Sequence, residues 1–524
     1  MQRLGPLLQF LGCRDNQWGV SALVVTDAAD AEPGISFNAV ALPATRASIA
    51  VPGQPCTAWR FDFAVPQTAG RQSIEGQIGG QSFSFSVPAR GGMPSIAYAS
   101  CNGFSDITAM KKVKEPHAMW ARLGRLHMLQ DRVGDQAYGP FDLLLLGGDQ
   151  VYSDVMWAQV PELVEWSEMD WYTRTHTVFT AAMQAGVQAF FSKLYLDRWS
   201  QPDLAAALRS IPSVMMWDDH DLMDGWGSYP ADLHESPVFQ GIFRVAKAAF
   251  ELFQRQMMGA LAPATLPDQP GHTSGYRMGP AGLLVLDLRS ERRPRSGAQT
   301  AAGGVLEAER IMGEESWRAA YQWLDAQQAA GDMTHLFVMS SIPVVHPSFA
   351  TLEKMLGVFP GLQTLEDDLR DHWNSPPHKA ERLRLIHRLL AASGKGTRIT
   401  LLSGDVHVAA LGVIESDRTD ASPGARVINQ LTSSGIVHPA PPGAALHFLE
   451  QACLAVDQID RGITGTMYEF PTTTHRMIGS RNFLTLQPDA PDAPGGAGGS
   501  GRYWANWWAE GEPHPYTKVI HRVG

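Results

Sequence analysis

The segment Phe141-Asp-Leu-Leu-Leu-Leu-Gly-Gly-Asp-Gln-Val-Tyr152 constrains the fold of this chain more than any other stretch. Four consecutive leucines with no polar alternation predict a strand buried on both faces, the environment at the centre of a parallel sheet covered by helices. Two glycines end the run. Lacking a Cβ, they let the backbone turn sharply and leave Asp149 at the carboxyl end of the strand, with Tyr152 a turn further on. In open α/β sheets that edge is where ligands bind.

Other apolar runs end in the same way. Ser95-Ile-Ala-Tyr-Ala-Ser-Cys101 ends in a thiol, Ser213-Val-Met-Met-Trp-Asp-Asp-His220 in two carboxylates and an imidazole, and Thr400-Leu-Leu-Ser-Gly-Asp-Val-His407 in a carboxylate and an imidazole. Leu283-Leu-Val-Leu-Asp-Leu-Arg289 ends in a guanidinium, and Leu336 to Pro343 in hydroxyl-bearing residues. Between these runs lie helical patterns at Ala118 to Asp131, Trp171 to Trp199, Val238 to Met258, Glu307 to Ala330 and Lys379 to Ala392. Such alternation predicts an α/β core, a packed and mostly parallel β-sheet flanked by helices on both faces.

Upstream the pattern changes. Gly19 to Val25, Ala58 to Val65 and Gln81 to Val87 are short β-like pieces in which Trp59, Phe61 and Phe63, then Phe83 and Phe85, alternate with polar residues. They predict a small N-terminal β-sandwich domain over 1–92, bounded by Pro88 to Pro94, ahead of a core at 93–490 and a Gly-rich loop with β segments at 491–524. The GxGxxG of Gly496, Gly498 and Gly501 follows no βα unit and opens no helix, so it reads as a loop rather than a dinucleotide fingerprint.

A formal net charge of −11 argues against a nucleic-acid binder held by phosphate contacts. The four cysteines, at 13, 56, 101 and 453, show no CxxC pairing, so neither a disulfide framework nor a zinc ribbon is indicated. No window approaches the roughly 18 apolar residues that span a bilayer. The N-terminus, interrupted by Gly5, Pro6 and Gln9, makes a poor signal peptide, and a cytoplasmic location is the expectation. Oligomeric state is not legible.

At the strand ends, each residue type has both a structural and a chemical use. Asp149 after Gly-Gly suits a helix N-cap, and with Tyr152 it also suits a hard cation. Asp218, Asp219, His220 and Asp221 place four titratable groups together after a buried run, a repulsion that a cation relieves. Asp405 and His407, spaced i and i+2, would share one face of an extended strand end as ligands of a single ion; a core Asp bonded to a nearby His fits the spacing equally. Cys101 is either a small buried hydrophobe or a thiolate ligand. Two cations would polarise a phosphoryl oxygen and acidify water, His220 would protonate the leaving alkoxide, and Arg289 or Arg292 would hold the non-bridging oxygens, although the arginines of this run also suit a solvated loop.

Taken in order, Ala-Ser-Cys101, Gly-Gly-Asp149-Gln-Val-Tyr152, Trp-Asp218-Asp219-His220-Asp221, Leu-Asp287-Leu-Arg289-Ser and Ser-Gly-Asp405-Val-His407 resemble the PhoD-like alkaline phosphatase family of metallophosphoesterases, across about residues 93 to 440. The resemblance implies a purple-acid-phosphatase-like core using ferric iron and calcium. Cys101 and Tyr152 would bind iron and Asp149 would bridge. Asp219, Asp405 and His407 would complete the cation sites beside Asp218, and His220 would touch the substrate. Two departures stand out: the twin-arginine signal of exported members is missing, and Asp221 replaces a more usual Glu.

The expected activity is metal-dependent hydrolysis of phosphomonoesters or diesters. A metal-holding binding or scaffold protein is the alternative, and a nucleotide-binding oxidoreductase is disfavoured by the lack of a glycine fingerprint at a helix start. The aromatic and apolar residues of Ser153 to Glu168 and Pro343 to Pro377 are expected to wall the pocket, for a bulky alcohol or a diester.

Overall fold

The computed structural model describes residues 1–38, 42–105, 107–134, 136–258, 264–294, 309–347, 373, 378–489 and 501–524. Its plan follows from the four leucines. Leu143 and Leu145 face a core shared by two sheets, whereas Leu144 and Leu146 face a core made with helices. A strand whose alternate side chains enter two apolar layers has no use for polar alternation, and each buried leucine contributes about 1.5–3 kcal/mol.

The first sheet has ten strands. At its centre Ile96–Ala99, Leu143–Gly147, Ser213–Met216 and Gln2–Arg14 run parallel. Antiparallel strands flank them on both sides, Asn482–Pro488, Tyr503–Ala509 and Tyr516–Ile520 on one and Gln17–Asp27, Cys56–Pro66 and Thr45–Ala50 on the other. The second sheet repeats the plan. Ala281–Val285, His335–Met339, Arg398–Ser403 and Val427–Ser433 are its parallel centre, with Ser274–Met278 antiparallel at one side and Ala409–Ser416, Ile463–Tyr468 and Asp457–Asp460 at the other. The fold is therefore mixed α/β, and the expectation of a mostly parallel sheet holds only for the two centres.

The sheets pack face to face through Tyr98, Val214 and Met216 against Leu283, Phe337, Leu402 and Leu431. Helices cover both outer faces, so the order is helix, sheet, sheet, helix. Pro237–Phe253 shows why a helix forms where it does: Ser236 caps Phe239 N–H at 3.3 Å, Pro237 opens the first turn, and Phe239, Ile242, Ala246, Phe250 and Phe253 form its buried stripe. The predicted helix from Trp171 to Trp199 is two helices, Trp171–His176 and Ala181–Trp199. Thr180 accepts from Met183 N–H and so starts the second, a cap that a hydrophobic count does not register.

The N-terminal region departs from the expected separate sandwich. Four of its strands belong to the ten-stranded sheet, and Gln2–Arg14 lies in that sheet's parallel centre with Ser213 Oγ bonded to Leu8 O at 2.9 Å. Only Ile35–Phe37, Gln72–Ile78 and Gln81–Val87 form a sheet of their own, packed by Phe83 and Phe85 against Phe63 of the large one. One layer of the small sandwich is thus an extension of the core sheet. The C-terminal strands likewise form an edge of that sheet. Among the described residues no helix is long and apolar enough to cross a membrane. The glycine pattern at 496–501 falls outside the described residues apart from Gly501, as does most of Pro343 to Pro377.

Candidate metal centre

Both parallel centres send their carboxyl ends to one seam. Ser100 and Cys101 leave the first sheet beside Gly148 and Asp149, with Cys101 N–H bonded to Gly148 O at 3.2 Å and Asn102 N–H to Asp149 O at 2.8 Å. Ser434 leaves the second sheet and reaches Cys101 Sγ at 3.1 Å. Close approach is required here: a Cβ on Gly148, whose φ is +106°, would lie 2.7 Å from Asp218 Cβ, and one on Gly404 would strike Ser100 Oγ across the seam.

The seam gathers the sequence-predicted residues into three overlapping sets, each with ligand atoms within 4.8 Å of one another. They are Cys101, Asp149 and His407; Asp149, Asp219 and His220; and Asp149, Asp218, Asp219 and Asp405. Asp149 belongs to all three. Tyr152 adds a buried phenol whose oxygen lies 3.3 Å from His407 Nε2. Asp405 and His407 do not extend a strand: both are bent, with φ of 71° and 52°, and they fall in different sets rather than sharing one face. Cys101 and Asp149 are also left-handed, at 57° and 55°. Backbone strain of this kind, roughly 1–3 kcal/mol per residue, persists only where the surroundings enforce it and clusters at functional sites.

Electrostatics give the centre its character. Burial, then the Cys101 thiol and the Asp218 and Asp219 carboxylates, hold Asp149 well above the usual carboxylate range. Burial pushes Asp218 up to about 8, against Arg289 and with Asp219. Burial also raises the Cys101 thiol and, with that thiol beside it, the Tyr152 phenol. A cluster that takes up protons so readily lacks positive charge. Asp149 Oδ1, Asp218 Oδ2 and Asp219 Oδ1 are buried without a hydrogen-bond partner, an arrangement that costs about 1–3 kcal/mol per atom unless something else coordinates them. These orphaned oxygens, together with thiol, phenol and imidazole donors, form a donor set suited to holding metal ions.

Arg289 takes a different place from that of an open phosphate clamp. It is fully buried, with Nε on Asp218 Oδ1 at 2.5 Å, Nη1 on Trp226 O at 3.0 Å and Nη2 3.5 Å from Asp219 Oδ1. Its charge orients the carboxylate pair. Arg292 is buried too, with Nη2 3.3 Å from His378 Nε2. Asp221 belongs to none of the three sets; it accepts from Gln150 N–H, Val151 N–H and Asp218 N–H at 2.9–3.0 Å and ties two strand-end loops together. The short Asp arm suits that fastening. Trp157 and Trp166 of the segment Ser153 to Glu168 stack on each other and pack at a tilt against Phe239, so these two join the helix layer.

Sequence reasoning missed Asp154, Ser341, Ser434 and His438. Asp154 Oδ2 lies 2.7 Å from His220 Nδ1; burial lowers that imidazole's pKa, but Asp154 and Asp219 outweigh it and raise it well above the ordinary value. Ser341 Oγ donates to Asp218 Oδ1 at 2.7 Å. His438 stacks on His407 with centroids 3.6 Å apart. Ser434 directly follows a parallel strand and Ser341 lies two residues past the end of another, the same signal that exposed Cys101 and Asp149.

The chain is 26% identical over 479 residues to an uncharacterized protein of Saccharomyces cerevisiae, covering 75% of this chain and 64% of that one, so it spans less than two thirds of the relative's length. A solved structure of PhoD shares the fold at a TM-score of 0.55 and 14% identity, over 99% of this chain and 90% of the other. The profile of the PhoD related phosphatases matches residues 69–306 and 348–458, more than half of the sequence and most of the strand ends that meet at the seam, and the chain belongs to that family.

Proposed function

We propose that this protein is a metal-dependent phosphoesterase that hydrolyses phosphomonoesters or phosphodiesters by attack of water. The observation that carries this reading is the convergence on Asp149 of thiol, phenol, imidazole and carboxylate donors from both sheets, with three buried carboxylate oxygens left without hydrogen bonds. Cys101, Tyr152, Asp149 and His407 would hold ferric iron. Asp149, Asp219, Asp405 and the free Oδ2 of Asp218 would hold a second ion, calcium by family resemblance. When bound, the cations polarise a phosphoryl oxygen and lower the pKa of water.

The chain's own groups do the rest. Asp154 fixes His220 through Nδ1, which leaves Nε2 to deliver a proton to the departing alkoxide. Arg289 and Ser341 saturate Oδ1 of Asp218 and so aim its other oxygen. Four left-handed residues hold their side chains in fixed directions, as pre-organised charge stabilisation requires.

Hydrolysis of p-nitrophenyl phosphate and of its bis ester, by the full chain supplied with ferric iron and calcium, tests the reading. Turnover of either ester is expected, with Asp149→Ala lowering the rate roughly a thousand-fold, the equivalent of several kcal/mol of charge stabilisation. Bound iron and calcium with neither ester cleaved would favour a metal-holding binding or scaffold protein instead.

A further inference from the structure

His438 lies inside a column of rings, between Tyr152 and His407. Tyr152 stacks on His220 at 4.4 Å and on His438 at 5.7 Å, and His438 in turn lies against His407 at 3.6 Å with 20° between the ring planes. The column therefore joins the proposed proton donor to two proposed iron ligands. Nδ1 of His438 lies 2.8 Å from Pro439 O, and a carbonyl only accepts, so Nδ1 carries the proton. Nε2, 3.1 Å from Ser105 Oγ, then accepts from that hydroxyl in the neutral ring. Both nitrogens are thus engaged by the protein, and what His438 presents to the centre is its flat face.

We infer that His438 is a positioning residue: its ring, held at both nitrogens by Pro439 and Ser105, is a plate against which His407 and Tyr152 are set at the angles that bind a cation. The fold gives the plate a reason to exist. His407 sits in a bent segment with a left-handed backbone, tied through its N–H to Ser434 Oγ at 2.9 Å. A side chain on such a segment has few neighbours along its own chain to fix its rotamer, so the orientation is supplied from outside. Groups that orient a metal-binding imidazole without touching the ion commonly change affinity 10- to 100-fold when removed.

This inference rests on the metal reading of the seam, and its test separates the two. The metal-free full chain is titrated with ferric iron in a graded chelator, and bound iron per chain is measured for wild type, Asp149→Ala, His438→Ala, His438→Phe and Ser105→Ala. His438→Ala is expected to bind iron about 10-fold or more weakly. His438→Phe, which keeps a flat ring and loses both nitrogens, is expected to recover most of the affinity, and Ser105→Ala to weaken binding by a few-fold. Wild-type affinity in His438→Ala overturns the inference. So does a His438→Phe variant as weak as His438→Ala, which would make a His438 nitrogen the needed group. Should His438→Ala fail to fold, the Phe and Ser105 variants still decide, since wild-type affinity in Ser105→Ala together with a weak Phe variant overturns it. If Asp149→Ala binds iron as well as wild type, the metal reading of the seam itself fails.

Discussion

The two sheets share a plan and differ in what they bring to the seam. Each has a parallel centre with antiparallel flanks, and each contributes two left-handed candidate ligands, Cys101 and Asp149 from the first, Asp405 and His407 from the second. The first sheet delivers the acceptors that cannot satisfy themselves, including all three orphaned carboxylate oxygens. From the second come groups that hold the first sheet's side chains: Arg289 and Ser341 on Asp218, Ser434 against Cys101, His438 stacked on Tyr152. A concentration of buried carboxylates is tolerable in one half because the other half supplies charge, hydroxyls and rings. The centre therefore belongs to the interface between the sheets and to neither sheet alone.

The strongest way to break that division of labour is Arg289→Met. Removing one partner of a buried pair leaves the other charge uncompensated, which typically costs 3–5 kcal/mol. At about pH 9 Asp218, pushed up to about 8 by burial, is ionised beside Arg289 and escapes part of the cost by taking up a proton once the guanidinium is gone, so a loss of about 3 kcal/mol is expected there in urea unfolding of the metal-free chain. Replacing Asp218 as well, in Arg289→Met with Asp218→Asn, should return part of it. An Arg289→Met chain as stable as wild type would show that the second sheet's guanidinium does not compensate the first sheet's acids.

Much of this arrangement was legible in the sequence because a parallel strand buried on both faces must be uniformly apolar and must end abruptly, so the ligand residues stand out at the boundary. The run before Asp149 is the clearest instance. What was not legible depended on which strands meet. Gln2–Arg14 carries Gly5 and Pro6, which break the pattern of a central strand; the structure absorbs them in register shifts between Leu4 and Leu7 while still pairing Gln9 with Ser213. The role of Arg289 could not be read either, since a guanidinium beside Ser-Glu-Arg-Arg suits a solvated loop until a carboxylate from the other sheet arrives 2.5 Å away. Asp405 and His407 were found for their residue types, but the extended geometry assumed for them was wrong, because nothing in Gly-Asp-Val-His announces two left-handed residues.

A second comparison concerns acid. Burial, followed by Arg71, pushes His127 in the helix layer of the first sheet down to about 4; burial also takes His335 in the second sheet to about 4, although its bond to Gly501 O opposes the shift. Unfolded histidine titrates near 6.5, so between about 6.5 and 4 the unfolded chain binds more protons at these sites. The stability from each neutral ring is complete above about 6.5 and is lost as pH falls toward 4, at about 1 kcal/mol per pH unit. His127→Asn, whose side-chain oxygen can still accept from Phe141 N–H, and His335→Gln should each flatten the acid limb of the stability curve by that amount. Unequal flattening would mean that burial holds one ring neutral more strongly than the other, and no flattening in either would remove these histidines from the account of acid sensitivity.

The smallest effect is the most informative about the seam. Ser341 donates to the same Oδ1 of Asp218 that Arg289 engages. At about pH 9, above the value near 8 to which burial raises Asp218, the acceptor is a carboxylate; a hydrogen bond to a charged group contributes about 1.5–3 kcal/mol, and here the carboxylate keeps its guanidinium, so Ser341→Ala is expected near the low end, about 1.5 kcal/mol. Because both donors act on one oxygen, their losses should not add. Once Arg289 is gone, Asp218 holds a proton, and the hydroxyl faces a neutral acid rather than a carboxylate. In a double-mutant cycle with Arg289→Met, a coupling of about 0.5 kcal/mol or more is expected, with the Ser341→Ala cost reduced in the Arg289→Met background. Additive losses would mean that Ser341 packs the seam without sensing the charge of Asp218, and that the second sheet holds the carboxylate through Arg289 alone.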